Sequence, residues 1–238
     1  AALAAQAAGA DVALFESRPA LGGDRAGKLL LEEGNGKLTT PLAIRQALDE
    51  RLLKAKLPFR TWVYVKDVLR DADGKVAGVT VVSRSGERTV PAKCVIDATE
   101  RAYAARRAGG EFRPFPSGVY RVRRRVVSGE RPSAEGLTVR AVGTTGEHGI
   151  GKPVLDKSVK KLVGTLWECE LEVAMKDGSP SSYAAMEQTV REKTWTRLQL
   201  ESAETCVLDA PDRLVRDAAG VFTCGASSDL APAEAGRR

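Results

Sequence analysis

Residues 11–23 read Asp-Val-Ala-Leu-Phe-Glu-Ser-Arg-Pro-Ala-Leu-Gly-Gly, and the fold is decided in this stretch. Residues 11–16 form a short, apolar, buried-type strand that closes on an acid, Glu16. Residues 17–23 form a loop, because Pro19 and the pair Gly22 and Gly23 break any regular pattern. Upstream, residues 1–10 are rich in alanine and read as a helix that stops at Gly9. Helix, buried strand and terminal acid make the second half of a βαβ nucleotide-binding unit. A carboxylate at that position offers two acceptor oxygens to the two vicinal hydroxyls of an adenosine ribose. The alternatives are a surface acid at a strand end and a plain glycine turn. The glycine-rich turn that cradles a pyrophosphate on the helix N-terminus would stand before residue 1, so the chain reads as N-terminally truncated.

Downstream, Leu42, Ile44, Leu48, Leu52 and Leu53 predict a helix over 41–56, with Pro41 in its first position. Strand-like residues 61–69, a turn at 71–74, a strand at 76–83, a turn at Ser85 and Gly86 and a return at 89–90 predict an antiparallel meander. The continuous apolar run 93–98 predicts a return to a buried parallel sheet, followed by a helix over 101–108. Strand patterns recur at 119–127, 137–142 and 162–173. A helix is expected over 181–199 and a last short strand over 220–225. These elements divide the chain into a first domain over 1–110 with the meander at 61–93, a β-rich domain over 111–215, and a return to the first domain over 216–238. No internal repeat interrupts this order.

The continuation of the opening stretch carries a resemblance. Glu16, five residues, then Gly22 and Gly23 is the spacing found in the FAD-dependent oxidoreductase superfamily of Rossmann-type flavoproteins. Within it the chain resembles the fumarate-reductase-like and thiazole-biosynthesis-like families. Val-Leu-Arg-Asp-Ala-Asp-Gly-Lys-Val-Ala-Gly-Val-Thr-Val resembles their inserted sheet, and Ala-Lys-Cys-Val-Ile-Asp-Ala-Thr-Glu-Arg-Ala their second fingerprint. Gly-Val-Phe-Thr-Cys-Gly-Ala-Ser-Ser-Asp-Leu is similar to their last flavin-contacting strand. The resemblance covers 1–30, 61–108 and 218–232. It implies an α/β fold: a Rossmann-like FAD-binding domain with an inserted antiparallel meander and a β-rich substrate domain. It also implies FAD as cofactor and redox chemistry on a small molecule.

Carried over position by position, Glu16 would hold the adenosine ribose and Arg18 would lie near the adenine or ribose. Gly22 and Gly23 would let the backbone approach the cofactor. Val63 or Val65 would offer backbone hydrogen bonds to the adenine edge, or simply belong to the core. Ala98 and Thr99 would pass the pyrophosphate or ribose, and Gly225 and Ala226 the phosphate–ribityl part. Ser17 and Leu21 complete the expected cofactor-binding set. Three departures from the family pattern stand out. Glu100 occupies a position where glycine is usual, so it is expected to turn to solvent or to pair with Arg101. Ala226 stands where an acid is usual, with Asp229 as a substitute. The glycine-rich loop is missing, so this chain is expected to bind FAD less well than a longer parent would.

Composition sets the outer limits. The 238 residues are 43% hydrophobic and 29% charged, enough apolar material for a core, which excludes wholesale disorder. Four cysteines, Cys94, Cys169, Cys206 and Cys224, form no C-x-x-C pair and too sparse a set for a disulfide scaffold. With one histidine, His148, in a glycine-rich loop, no metal site is expected. The thiols suit a reducing compartment, and the expected location is the cytoplasm. No apolar run is long enough to span a bilayer; the first residues lack the charged and apolar pattern of a signal peptide, and any targeting segment is expected in the missing part before residue 1.

The net charge, 37 − 31 = +6, is concentrated between Arg101 and Arg125, where eight arginines face one acid, Glu111. Such a patch could attract phosphate or an anionic small-molecule substrate. The plainer reading is a solvated strand edge and helix surface. Arg121, Arg123 and Arg125 alternate along one strand and so share one face. Nucleic-acid binding is not expected, with aromatics at 5%. No catalytic base declares itself. Tyr120, Tyr183 and Trp167 would be core residues or flavin neighbours. Two other functions fit the opening stretch: an NAD-binding Rossmann dehydrogenase, since Glu16 would repel the extra phosphate of NADP, and a flavoprotein-like binding module that has lost its cofactor.

Overall fold

The computed structural model describes residues 1–32, 38–144, 164–216 and 218–224, a mixed α/β arrangement in two compact units. The first unit is Ala1–Leu21, Glu50–Pro114 and Pro211–Arg238; the second is Gly22–Asp49 and Phe115–Ala210. Among the described residues no helix is long and apolar enough to cross a membrane.

The first unit opens with helix α1 (Ala2–Ala7) and strand β1 (Leu14–Phe15). β1 lies parallel to β2 (Phe59–Arg60), with Leu14 opposite Phe59. The expected meander is present as β3 (Tyr64–Arg70), β4 (Val76–Ser83) and β5 (Gly86–Pro91), antiparallel in that order. Its first turn is set by Asp71, whose Oδ1 accepts from the N–H groups of Asp73 and Lys75, while Gly74 takes φ +77°. Strand β6 (Val95–Asp97) follows, then helix α4 (Tyr103–Arg107) and β7 (Glu111–Phe112). From the end of the chain, β13 (Leu214–Arg216) pairs with β7 and β14 (Val221–Thr223) runs parallel to β6. Val63, Val68, Val76, Val79, Val81, Ala104, Ala105, Leu214 and Val221 close the core between the meander and α4.

The parallel sheet expected around residues 93–98 is thus two separate parallel pairs, β1–β2 and β6–β14. The burial expected of β6 is also incomplete. Ile96 and Phe222 stand opposite each other and are 44% and 41% exposed, so this pair is covered on one face only.

The second unit holds α2 (Gly23–Gly27) and the first part of α3 (Pro41–Lys54), a helix that continues into the first unit. The expected helix end at Lys56 gives way two residues earlier, where Lys56 itself turns left-handed at φ +52°. The sheet consists of β8 (Gly118–Ser128), β9 (Thr138–Thr144), β10 (Thr165–Met175) and β11 (Gln199–Ser202), in the order β11-β8-β10-β9; β12 (Cys206–Val207) also pairs with β8. Helix α5 (Pro180–Thr194) begins at Ser179, whose Oγ accepts from the Ser182 N–H. It ends five residues before the expected 199. Trp195 is extended, and Gln199 is already in β11. One face of the sheet packs Val122, Leu171 and Val173 against Met186 and Val190 of α5. The other packs Val127 and Leu166 against Leu29, Leu31 and Ile44.

Candidate functional site

The acid that ends β1 is held in place by its own backbone. The Glu16 N–H donates to the Arg60 carbonyl (2.9 Å), the Glu16 carbonyl accepts from the Val63 N–H (3.0 Å), and the Trp62 N–H donates to the Arg18 carbonyl (3.1 Å). The segment after β2 is thereby laced to residues 16–18. The Glu16 side chain folds back into the turn: Oε1 accepts from the Arg18 N–H (2.9 Å) and the Ser17 hydroxyl (3.3 Å). One carboxylate oxygen is fixed, and among the described residues Oε2 takes no hydrogen bond. Arg18 also reaches Glu100, at 3.9 Å. Glu100 thus faces a guanidinium on residue 18, a partner the sequence did not suggest, while Arg101 binds Asp212 at 2.9 Å.

Val63 belongs to the core of the first unit, and the half-buried Val65 packs against it. The Val63 N–H is already engaged by Glu16, so only the carbonyl of that peptide group remains for a ligand. Between them the chain alternates: Trp62 and Tyr64 are exposed, and the guanidinium of Arg84 lies 5.3 Å from the centre of the Trp62 ring. Such a cation–π contact stabilises by about 0.5–1 kcal/mol at an exposed site.

Ala98 and Thr99 follow β6 in a turn organised by Asp97, a residue the sequence reading passed over. Asp97 is 3% exposed. Its Oδ1 accepts from the Thr99 N–H (2.9 Å) and hydroxyl (2.7 Å), and its Oδ2 from the Ala105 N–H (2.9 Å). The Thr99 hydroxyl in turn accepts from the Tyr103 N–H at 2.7 Å. Strand, turn and helix are tied by one carboxyl group and one hydroxyl, which satisfy N–H groups at the start of α4. The Cys224 N–H donates to the Asp97 carbonyl (2.9 Å), and burial pushes the Cys224 thiol above its usual value. The expected sites Gly225 and Ala226 lie outside the described residues, as do Asp229 and His148.

Leu21 is buried, and Gly22 opens α2 at φ +122°, where a Cβ would meet the Ala26 Cβ at 2.7 Å. Close packing as well as backbone conformation therefore demands glycine there. Gly23, by contrast, has open space where a Cβ would stand. The Arg45 side chain passes Gly22, its Cγ 3.8 Å from the Cβ position there, and its buried Nε has no hydrogen-bond partner among the described residues. Burial raises the Glu201 carboxyl, and the positive charge of Arg45 offsets this only in part. Arg45 was missed because, by sequence, it is one more polar residue of an amphipathic helix.

The arginine-rich segment does not form the solvated strand edge expected of it. β8 is an interior strand. Arg121, Arg123 and Arg125 stand opposite Glu172, Glu170 and Glu168 of β10. Arg125 is buried, bound to Glu168 (2.7 Å) and to both oxygens of Glu32 (2.6 and 2.7 Å). Arg140 also reaches Glu168, at 2.5 Å, and Arg121 reaches Asp209 at 3.0 Å. Arg124, buried on the opposite face, donates to the Ala203 carbonyl and to the hydroxyls of Ser202 and Thr194. These arginines are matched by acids or carbonyls within the fold, which leaves little positive charge for an anionic substrate. Tyr120 and Tyr183 pack on Phe115 in the core, and the Trp167 indole donates to the Ser128 carbonyl.

Residues 25–114 match the family model described as FAD dependent oxidoreductase. Among solved structures, one described as BexE, from studies of oxidation during BE-7585A biosynthesis, is 16% identical with a TM-score of 0.52. The match covers 96% of this chain and 55% of that one. Aklavinone-11 hydroxylase, solved with FAD and aklavinone, is 11% identical at a TM-score of 0.49, over 96% of this chain and 55% of that one. CabE, an aromatic hydroxylase from angucycline biosynthesis, is 14% identical at 0.49, over 92% and 52%. The chain therefore spans about half the length of these proteins. Among curated proteins, none matches.

Proposed function

We propose that the chain belongs to the FAD-dependent oxidoreductase superfamily and forms part of a flavoenzyme that oxidises or reduces a small organic molecule. The observation that carries this reading is the family match over residues 25–114, which takes in the meander and the whole turn built on Asp97. That match names FAD, which favours a flavin over a nicotinamide dinucleotide as the cofactor. When bound, FAD supplies the hydride or electron transfer itself; the chain supplies binding, orientation and charge.

Features of this chain fit such a cofactor. The Oε2 of Glu16 stands ready to accept from a ribose hydroxyl, with Oε1 already locking the carboxylate's orientation. We assign Ser17 and Arg18 to the same adenosine end. Arg18 screens Glu100, so the acid where glycine is usual need not repel a pyrophosphate passing Ala98 and Thr99. Leu21, Gly22 and Gly23 are assigned to FAD by their sequence distance from Glu16. Val63, Val65, Gly225 and Ala226 keep their assignment from the sequence. The Rossmann-like arrangement of the first unit is part of the proposal.

The reading is tested by Glu16→Gln. An amide has one acceptor oxygen and no charge, so FAD affinity should fall by roughly tenfold or more, the scale of a charge-assisted hydrogen bond. Equal affinity of wild type and variant in equilibrium dialysis would remove Glu16 from the site. Glu100 favours a second reading, a related module that binds a partner without flavin.

A further inference from the structure

Among the described residues four non-glycine positions have positive φ: Leu29, Lys56, Trp62 and Ala102. Three have ordinary causes. Lys56 follows the end of α3, Ala102 opens α4, and Leu29 lies fully buried just after α2. Trp62 has none of these. It sits at φ +57° with its side chain 42% exposed, so burial of the indole does not account for the conformation. A bulky side chain in the left-handed region is strained, and such strain persists only where surrounding structure enforces it. Here the enforcement is explicit. The Trp62 N–H is held by the Arg18 carbonyl, its neighbour Val63 by the Glu16 carbonyl, and the ring by the Arg84 guanidinium. Val63 points into the core, so Trp62 is turned outward, and it is bonded through the backbone to the same turn that presents the Glu16 carboxylate.

We propose that Trp62 is the stacking platform for the adenine base of FAD, with Arg84 fixing the plane of the indole. The inference rests on the FAD reading and adds a base-recognition element to it. A rigid aromatic plane on a segment bonded through its backbone to the turn that carries Glu16, whose carboxylate has one open oxygen, matches an adenosine, whose base has a π-face and whose ribose carries the paired hydroxyls. FMN, which lacks the adenosine, would not use this platform.

The chain has three tryptophans, Trp62, Trp167 and Trp195, so W167F/W195F leaves Trp62 as the sole emitter. In that background FAD and ADP should both quench Trp62 emission, and FMN should leave it unchanged. W62A should weaken FAD binding by about tenfold, the scale of one base–aromatic stack, and W62F should recover most of the loss. W62G, which relieves the backbone strain, should melt no lower than wild type while binding FAD as weakly as W62A. If W62A binds FAD as wild type does and Trp62 emission ignores FAD, the platform is wrong and the FAD reading stands. A W62G protein that melts far below wild type with unchanged FAD affinity would make Trp62 a structural residue and overturn the proposal. If the wild-type chain binds neither FAD nor ADP, the platform and the FAD reading fall together.

Discussion

Asp97 and Glu16 are both acids at the end of a short parallel strand, yet they do opposite work. Asp97 is buried and saturated by three donors, and so it builds the turn into α4. Glu16 uses one oxygen to orient itself, and the other, which takes no hydrogen bond among the described residues, is the one we propose for a ribose hydroxyl. Asp97→Ala should therefore cost about 3 kcal/mol of stability, since it strands buried donors. Asp97→Asn should cost less, because its remaining oxygen can still serve Thr99 while its amide confronts the Ala105 N–H. Urea unfolding checks both, and an Ala variant as stable as wild type would contradict the role. At this scale the sequence singled out Glu16 as a candidate, because strand and loop patterns flank it. It did not show Asp97, Arg45 or Trp62. Their significance lies in a distant N–H, a missing partner and a backbone angle, none of which leaves a local pattern.

Along β8 and β10 the alternation of residue types was legible, and it put Arg121, Arg123 and Arg125 on one face. What lay opposite was not legible, because register is a property of two strands. The facing glutamates turn an apparent anion-binding strip into an internal charge ladder, buried at the Arg125–Glu168 end. Burial alone would raise the Glu168 carboxyl; hydrogen bonds from Arg125 and Arg140 outweigh it and hold the group below its usual value. Glu32 is lowered chiefly by its hydrogen bond to Arg125. Carboxyls lowered in the folded state stabilise it fully above their unfolded value of about 4.3, and that stability is lost as pH falls through the lower folded value. Arg125→Met should thus destabilise by about 3–5 kcal/mol at neutral pH, the usual effect of stranding one member of a buried pair. The gap between variant and wild type should narrow as the pH is lowered below about 4.3. A gap independent of pH would place the ladder outside the stability balance.

For the whole molecule, the meander, the β-rich middle and the last strand were readable because each combines a two-residue period with strong turn residues. The helix ends at 54 and 194 were not, since a left-handed Lys56 and an extended Trp195 are backbone decisions. The joining of residues 22–49 to the β-rich segment in one compact unit also lacks a sequence signal, because it depends on Leu29, Leu31 and Ile44 finding Val127 and Leu166. We propose that the first unit presents an adenosine-binding turn and that this turn holds FAD. The most direct measurement is a titration of the purified chain with FAD, followed by flavin fluorescence and repeated with ADP as competitor. Saturable binding of one FAD per chain, displaced by ADP, is the predicted result. A cooperatively folded chain that retains no FAD at any concentration, and on which ADP has no effect, would contradict it.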